Sequence, residues 1–125
     1  MTEIPVGVRA ERAFTVSEID TAHSMESGDV PRLATPRAVA WAEMTACSAI
    51  GDYLDSSDTT VGVQVRVEHL AATRVGETVL ATAEVTAVQG RRIDFDVLIT
   101  NPDGAVALQG SVQRIRVDRE RFLAG

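Results

Sequence analysis

Apolar and polar residues alternate along residues 61–69, which read VGVQVRVEH. Alternation over this length is typical of a β-strand with one buried face. The pattern predicts that four side chains point into the core: Val61, Val63, Val65 and Val67. The same register brings His69 inward, so a strand lined by valines is expected to end in a buried imidazole.

Three more segments with a period of two follow at short intervals. They predict strands at 78–88, 92–100 and 105–117, joined by turns at 89–92 (QGRR) and 101–104 (NPDG). Such short links favour antiparallel hairpins over parallel crossovers. The four predicted strands together occupy residues 61–117. Nearer the start, residues 1–10 are expected to be a lead-in to a first strand at 11–16.

The period changes to that of a helix between the first strand and the other four. Thr35 is a suitable N-cap and Pro36 a suitable first helical residue, so we predict a central helix over 35–54. One face of it carries small side chains that allow close packing on a sheet: Ala38, Ala42, Thr45, Ala46 and Ala49, with Tyr53. Residues 17–34 carry Ser, Asp, Gly28 and Pro31 and are predicted to be mostly loop.

One strand, one long helix and four antiparallel strands indicate an α+β fold. A single helix is too little to cover both faces of a parallel sheet. It can, however, lie along the concave face of one curled antiparallel sheet of about five strands. This arrangement matches the hot-dog fold. The length of 125 residues predicts a single domain over residues 1–125.

The overall charge narrows the class of partner. The net charge of −6 argues against broad binding to nucleic acid or to an anionic membrane surface. Cys47 is the single cysteine, which excludes an intrachain disulfide. The first residues lack the pattern of a signal peptide, and no apolar run approaches the roughly 20 residues of a membrane span. A cytoplasmic protein is expected.

Three ionisable residues stand where the pattern calls for apolar ones. Glu43 lies between Ile50 and Leu54 on the helical wheel, and His69 continues the inward register of its strand. Arg114 continues the register of the last strand. Apolar residues then take the other register from 115 onward, which suggests a β-bulge near Arg114.

Each of these residues also has a structural interpretation. His69 can be an edge histidine, a small rotation of the helix exposes Glu43, and Arg114 can be a solvated edge residue. Buried charges are costly unless they are paired, and such groups cluster at functional sites. We therefore base the prediction of a site on the combination.

Other chemistries fit the sequence less well. No GxGxxG or Walker pattern is present, and two histidines with one cysteine at these spacings do not suggest a metal site. Cys47 is expected to pack on the helix rather than to act as a nucleophile. Trp41 is expected near the Arg37 side of the helix, and His23 in an exposed loop.

Four stretches resemble the fluoroacetyl-CoA thioesterase-like branch of the hot-dog thioesterases. They are LATPRAVAWAEMTACSAIGDYLD, TVGVQVRVEHLAATRVGETV, VQGRRIDFDV and GSVQRIRVDRERF, which run in order between residues 33 and 122. The resemblance places that family's catalytic set on Thr35, Glu43 and His69. It also places the glycine lying against the substrate carbonyl on Gly62, and an arginine of the last strand on Arg114.

The resemblance implies an acyl-CoA thioesterase that hydrolyses a small or medium acyl thioester. No cofactor is implied, since CoA is part of the substrate. Glu43 would act as a base or as the nucleophile, His69 would pass protons, and Thr35 would orient one of the reacting groups. At least a homodimer is implied, with His69 serving a site built partly from the other chain.

The phosphates of CoA call for local cations, for which the sequence offers Arg74, Arg91 and Arg92. Two departures from the family pattern bear on the acyl group. Pro36 stands where a glycine is common, and the preceding loop, MESGDVPRL, has no aromatic residue. The alternatives are a non-catalytic module that binds acyl-CoA or a similar ligand, and a hydratase with a different Asp/His arrangement.

Overall fold

Five strands and one long helix make up most of residues 2–125, which are the residues that the computed structural model describes. The strands are β1 (Arg9–Thr15), β2 (Asp58–His69), β3 (Thr78–Gln89), β4 (Arg92–Thr100) and β5 (Val106–Asp118). The helices are α1 (Ala22–Met25), α2 (Thr35–Ile50) and α3 (Arg119–Ala124), with 3-10 turns at Glu18–Asp20 and Gly51–Tyr53. Among these residues, no helix has both the length and the apolar character needed to cross a bilayer.

The observed bounds extend several of the predicted elements. β1 begins at Arg9, inside the predicted lead-in, and β2 begins at Asp58, three residues before the predicted start. The α-helical part of α2 ends at Ile50 and continues as a 3-10 turn. Two short helical turns lie within the predicted loop 17–34, and α3 was not predicted.

All strands join one antiparallel sheet in the order β1-β3-β4-β5-β2. The hairpins β3–β4 and β4–β5 follow the two predicted turns, while β1 and β2 form the two edges. Helix α2 packs against both edge strands as well as β3 and β4, so the sheet curls around it. The predicted architecture, a curled antiparallel sheet around one long helix, is confirmed.

The small face of α2 forms the centre of the core. The predicted residues are buried there and meet the inner face of β3: Ala38, Ala42, Thr45, Ala46 and Ala49. Trp41, one helical turn after Arg37, is buried as well. Its ring stacks on Phe14 of β1 with centroids 4.8 Å apart, because β1 covers that flank of the helix.

The prediction of four inward valines on β2 was wrong. The fractional exposure of Val63 is 52% and that of Val65 is 38%. A register shift between Gly62 and Gln64 makes Val63 the extra residue of a β-bulge. Val61 pairs with Ile115 of β5. The residues on either side of Ile115 point inward, so Ile115 points outward, and its partner Val61 lies on the same outer face.

The predicted bulge lies on the opposite strand. β5 keeps its alternation through Arg114 and Arg116, both of which are buried. The bulge in β2 lies directly across from Arg114, where Gly62 pairs with that residue. The register shift places Gly62 on the inner face of the sheet, where a regular alternation would have placed Val61.

Arg116 is a buried charged residue that the sequence did not predict, and its hydrogen bonds hold several chain segments together. Its Nε donates to Asp58 Oδ2 at 2.7 Å, and its Nη1 donates to the carbonyl oxygen of Thr2 at 2.6 Å. Its Nη2 donates to the carbonyl oxygen of Tyr53 at 3.3 Å. These bonds join the first residues, the exit of α2 and the start of β2.

Candidate functional site

The first of two polar clusters lies where α2 begins. The hydroxyl oxygen of Thr35 is 2.7 Å from Nδ1 of His69, at the end of β2. The predicted N-cap role of Thr35 was wrong by one residue, since the carbonyl of Ala34 accepts the first helical bond, from Ala38 at 3.0 Å. The Thr35 side chain is therefore available to position the imidazole.

Burial controls the protonation of His69. Desolvation lowers the pKa of its imidazole below the ordinary value, and a backbone hydrogen bond with Ala71 partly opposes this effect. The ring is thus mostly neutral at neutral pH. Nε2 is buried and has no hydrogen-bond partner within residues 2–125. Buried polar atoms of this kind are rare, and this one is suited to a proton or a polar atom of a ligand.

A cavity of about 380 Å³ adjoins the Thr35–His69 pair. Residues of the 17–34 loop and of the segment after β2 form its walls. The apolar lining comes from Ala22, Val30, Leu33, Leu70, Ala71 and Ala72, and the polar lining from Ser27, Asp29 and Arg32. This volume is within the range of small-molecule sites in proteins, about 300–1,000 Å³.

Asp20 anchors the loop over this cavity. Its Oδ2 accepts hydrogen bonds from the backbone nitrogen of Ser17 at 2.8 Å and from the Ser17 hydroxyl at 2.9 Å. Its Oδ1 lies 3.0 Å from Nε of Arg37, in the first turn of α2. The ion pair holds the loop to the same helical turn that carries Thr35.

The second cluster surrounds Arg114. Its Nη1 donates to Glu43 Oε2 at 2.8 Å. Its Nε donates to the Thr60 hydroxyl at 2.9 Å, and its Nη2 to the Thr60 carbonyl oxygen at 3.0 Å. Glu43 therefore does pair with Arg114. Thr60 was not predicted as a site residue, because simple alternation with Val61 inward would turn Thr60 outward; the bulge brings it to the inner face.

Gly62 leaves the space that the Glu43 carboxylate occupies. A β-carbon at position 62 would lie 2.5 Å from Glu43 Oε2 and 3.2 Å from Arg114 Nη1. The glycine is thus required by the contact with Glu43. Its predicted place against a substrate carbonyl stays a prediction.

The two clusters are well separated within one chain. Glu43 follows Thr35 by eight positions along α2, a rise of about 12 Å. Gly62 and His69 are seven residues apart on β2, or about 20 Å. The structure brings the five predicted site residues together as one pair, Thr35 with His69, and one trio, Glu43 with Gly62 and Arg114.

The exposed side of α2 forms an open depression of about 520 Å³ next to the second cluster. Cys47 lines it together with Glu43 and Arg12. The expectation that Cys47 serves in helix packing was wrong, because the residue is exposed. The helix therefore presents Glu43 on its uncovered face.

The arginines predicted for CoA lie in two places. Arg74 follows β2 and forms an isolated antiparallel bridge with Arg32. Arg91 and Arg92 lie at the β3–β4 turn, near the second cluster. Arg92 Nε is 3.7 Å from Asp94, and Arg91 Nη1 donates to the Arg116 carbonyl oxygen at 3.4 Å.

Comparison with known proteins gives consistent results. Residues 16–120 match the family model of FlK, the fluoroacetyl-CoA-specific thioesterase. The fluoroacetyl-CoA thioesterase of Streptantibioticus cattleyicolor is 32% identical over 126 residues, which cover 95% of this chain and 89% of that protein.

Solved structures of thioesterases have the same fold. A Thr-to-Ser variant of FlK in complex with acetyl-CoA has a TM-score of 0.92 at 27% identity, covering 97% of this chain and 95% of that one. A thioesterase superfamily member from Thermus thermophilus has a TM-score of 0.91 at 26% identity, covering 99% and 91%. The predicted hot-dog fold is confirmed. The chain belongs to the FlK family of fluoroacetyl-CoA-specific thioesterases and is a thioester hydrolase.

Proposed function

We propose that the protein hydrolyses small or medium acyl-CoA thioesters at sites that two copies of the chain share. The observation that carries this proposal is the position of the two polar clusters at opposite ends of one open edge strand, β2. Family membership supports the hydrolysis of acyl-CoA, and an FlK variant has been solved with acetyl-CoA.

The free edge of β2 supports a second copy as the partner. Within residues 2–125, β2 pairs on one side only, with β5. Val63 and Val65 are exposed along it, and an exposed apolar edge strand is a template for another strand. A two-fold axis near the middle of β2 would pair the strand with its own copy in antiparallel fashion.

This pairing would complete the site. It sets the His69 end of one strand against the Gly62 end of the other. Thr35 and His69 would then face the partner's Glu43, which the partner's Arg114 holds. Within a single chain the separation of about 12 Å along α2 is too long for a hydrogen bond.

The chemistry follows from these positions. In the proposed reaction an oxygen attacks the thioester carbonyl, the carbon–sulfur bond breaks, and the CoA thiolate takes up a proton. Glu43 either removes a proton from the attacking water or attacks the carbonyl itself. Neutral His69 passes the proton and Thr35 orients the imidazole. Gly62 has no side chain of its own beside Glu43, and its backbone N–H serves the developing oxyanion. Water is the only co-reactant, so the reaction requires no cofactor.

The two roles of Glu43 differ in a single turnover in ¹⁸O-labelled water. With enzyme in excess over substrate, attack by water places ¹⁸O in the product acid. Attack by the carboxylate instead forms a mixed anhydride between Glu43 and the acyl group and releases CoA. When water then attacks the Glu43 carboxyl carbon, the unlabelled bridging oxygen leaves with the product acid and ¹⁸O enters Glu43. Unlabelled acid together with labelled Glu43, measured by mass spectrometry, identifies the carboxylate as the nucleophile.

Activity is tested with a panel of acyl-CoAs of increasing chain length and a thiol reagent that reports free CoA. We expect Glu43→Gln and His69→Gln each to reduce kcat/KM by about 100-fold or more, since each removes a proton-transfer group. Glu84→Gln, an exposed change on β3, is the matched control and should retain the wild-type rate.

Release of no CoA from any panel member would refute the proposal. Full activity of both variants would refute the assigned site. Stabilisation by acyl-CoA on heating without turnover would instead support the non-catalytic binding module. The homodimer and the cytoplasmic location stay predictions.

A further inference from the structure

We propose that Arg32 and Arg74 form the site that binds the phosphate groups of CoA. Their hollow lies beside the Thr35–His69 cavity. The inference rests on the proposed function, because it names the residues that would hold the far end of the same substrate.

The two arginines are adjacent across a short backbone bridge. Arg32 and Arg74 pair in antiparallel fashion, and the Leu33 nitrogen donates to the Thr73 carbonyl oxygen at 2.9 Å. Directly paired residues extend their side chains from the same face. Two positive charges in this position repel each other, so an anion between them relieves the repulsion.

The hollow between them has a well-ordered base. It measures about 330 Å³ and is lined by both arginines with Ala72, Glu77, Asn101 and Asp103. The buried Thr73 hydroxyl donates to Asn101 Oδ1 at 2.5 Å, and Asn101 Nδ2 donates to the Ala72 carbonyl oxygen at 3.0 Å. These bonds tie the segment that carries Arg74 to the β4–β5 turn.

The acidic residues in the hollow bond to backbone groups. Glu77 Oε1 accepts from the Arg74 backbone nitrogen at 2.7 Å, and Asp103 Oδ1 accepts from the Ala105 nitrogen at 2.9 Å. In the described part of the chain, no carboxylate oxygen lies within 4.0 Å of the Arg32 or Arg74 guanidinium. Both guanidinium groups therefore retain donors for phosphate, which they can bind in bidentate fashion.

The hollow is continuous with the first polar cluster. Arg32 lines both the hollow and the cavity that contains Thr35 and His69. Arg74 follows His69 by five positions, a distance of at most about 17 Å in extended chain. A thioester at His69 with its pantetheine arm extended along the cavity would thus bring phosphates to the two arginines.

The test measures the binding of CoA, 3′-dephospho-CoA and pantetheine by calorimetry, which needs no turnover. We expect Arg32→Gln and Arg74→Gln each to weaken CoA binding about tenfold, as for the loss of one charge-assisted contact, and to leave pantetheine binding unchanged. Arg9→Gln, on the far edge strand β1, removes the same charge and should bind CoA like the wild type. Melting temperatures check that each variant folds.

The second ligand identifies the phosphate. If the wild type binds 3′-dephospho-CoA as weakly as the variants bind CoA, the arginines hold the 3′-phosphate; if it binds both equally, they hold the diphosphate. Three outcomes overturn the inference. They are an unchanged CoA affinity in both variants, a fall in pantetheine affinity as large as the fall in CoA affinity, and a wild type that does not bind CoA. If the variants show the expected losses of CoA affinity but the wild type hydrolyses no acyl-CoA, the phosphate site is supported and only the proposed hydrolysis is refuted.

Discussion

At the scale of the residue, Gly62 links the backbone of β2 to the Glu43–Arg114 pair. We expect Gly62→Ala to displace the carboxylate, because the added carbon would lie 2.5 Å from Glu43 Oε2. The neighbouring atoms belong to side chains that can move, so stability should change by less than about 1 kcal/mol while kcat/KM falls at least about tenfold. Steady-state kinetics and urea unfolding measure the two effects. A normal kcat/KM in a folded variant would contradict the placement of Glu43 in the site.

His69 should leave a signature in the dependence of stability on pH. Burial lowers the pKa of its imidazole from about 6.5, so as pH falls the unfolded chain takes up this proton before the folded protein does. Its contribution to the free energy of unfolding is therefore constant above about pH 7. It declines between pH 6.5 and the lower pKa of the folded protein.

We accordingly expect the free energy of unfolding of the wild type minus that of His69→Gln to decrease as pH falls from 7 toward 5. Urea unfolding at a series of pH values measures it. His23→Gln, an exposed change in α1, is the control. An increase of this value at low pH would contradict the direction of the shift.

Sequence and structure contributed differently to the individual residues. Glu43, His69 and Arg114 are recognisable in the sequence because each interrupts an apolar register. Thr60 and Arg32 lack such a signal: a threonine after DSSDT and an arginine after a proline are ordinary loop residues. Their contacts depend on chain segments far away in sequence, which a local pattern does not contain.

At the scale of the element, Gly110 allows β2 and β5 to approach. A β-carbon there would lie 2.0 Å from the Arg66 carbonyl oxygen and 2.7 Å from Val67 Cα, and the φ of 153° favours glycine. Gly110→Ala should therefore lower the free energy of unfolding by about 2–4 kcal/mol, since the obstacle is backbone.

The control is Gly51→Ala, where an added carbon meets nothing within 4 Å and the backbone is α-helical. It should change stability by no more than about 1 kcal/mol, with a stabilising sign. Thermal and urea unfolding measure both variants. Equal stability of Gly110→Ala and wild type would show that the β2–β5 register differs from the one described.

The elements themselves were largely predictable. Periodicity located α2 and the strands, since burying one face imposes a period on any amphipathic segment. It failed along β2, because one bulged residue reverses the alternation on either side of it. The sequence indicated an irregularity near Arg114 but did not show which strand carries it.

At the scale of the whole molecule, shared sites predict complementation. When Glu43→Gln and His69→Gln chains are refolded together in equal amounts, half of the dimers are mixed. Each mixed dimer has one site with both changes and one with neither, so activity should return to about one quarter of the wild-type value. Each variant alone should remain inactive.

The control mixture combines His69→Gln with Thr35→Ala, which alter the same cluster. Every site in its mixed dimers keeps one defect, so no activity should return. Mass spectrometry shows whether mixed dimers of Glu43→Gln and His69→Gln have formed. If they have formed and no activity returns, the sites are not shared. Recovery in the control mixture would contradict the grouping of Thr35 with His69.

The sequence by itself determined the secondary structure, the single curled sheet around one helix and the identity of the polar residues in apolar positions. These follow from periodicity and from the cost of burying charge, both of which are local properties of the chain. Only the tertiary structure decided how those residues group. The bulge turned Gly62 and Thr60 inward, α2 set Thr35 and Glu43 about 12 Å apart, and the Arg32–Arg74 bridge joined two distant segments. Such groupings arise from pairing between segments far apart along the chain.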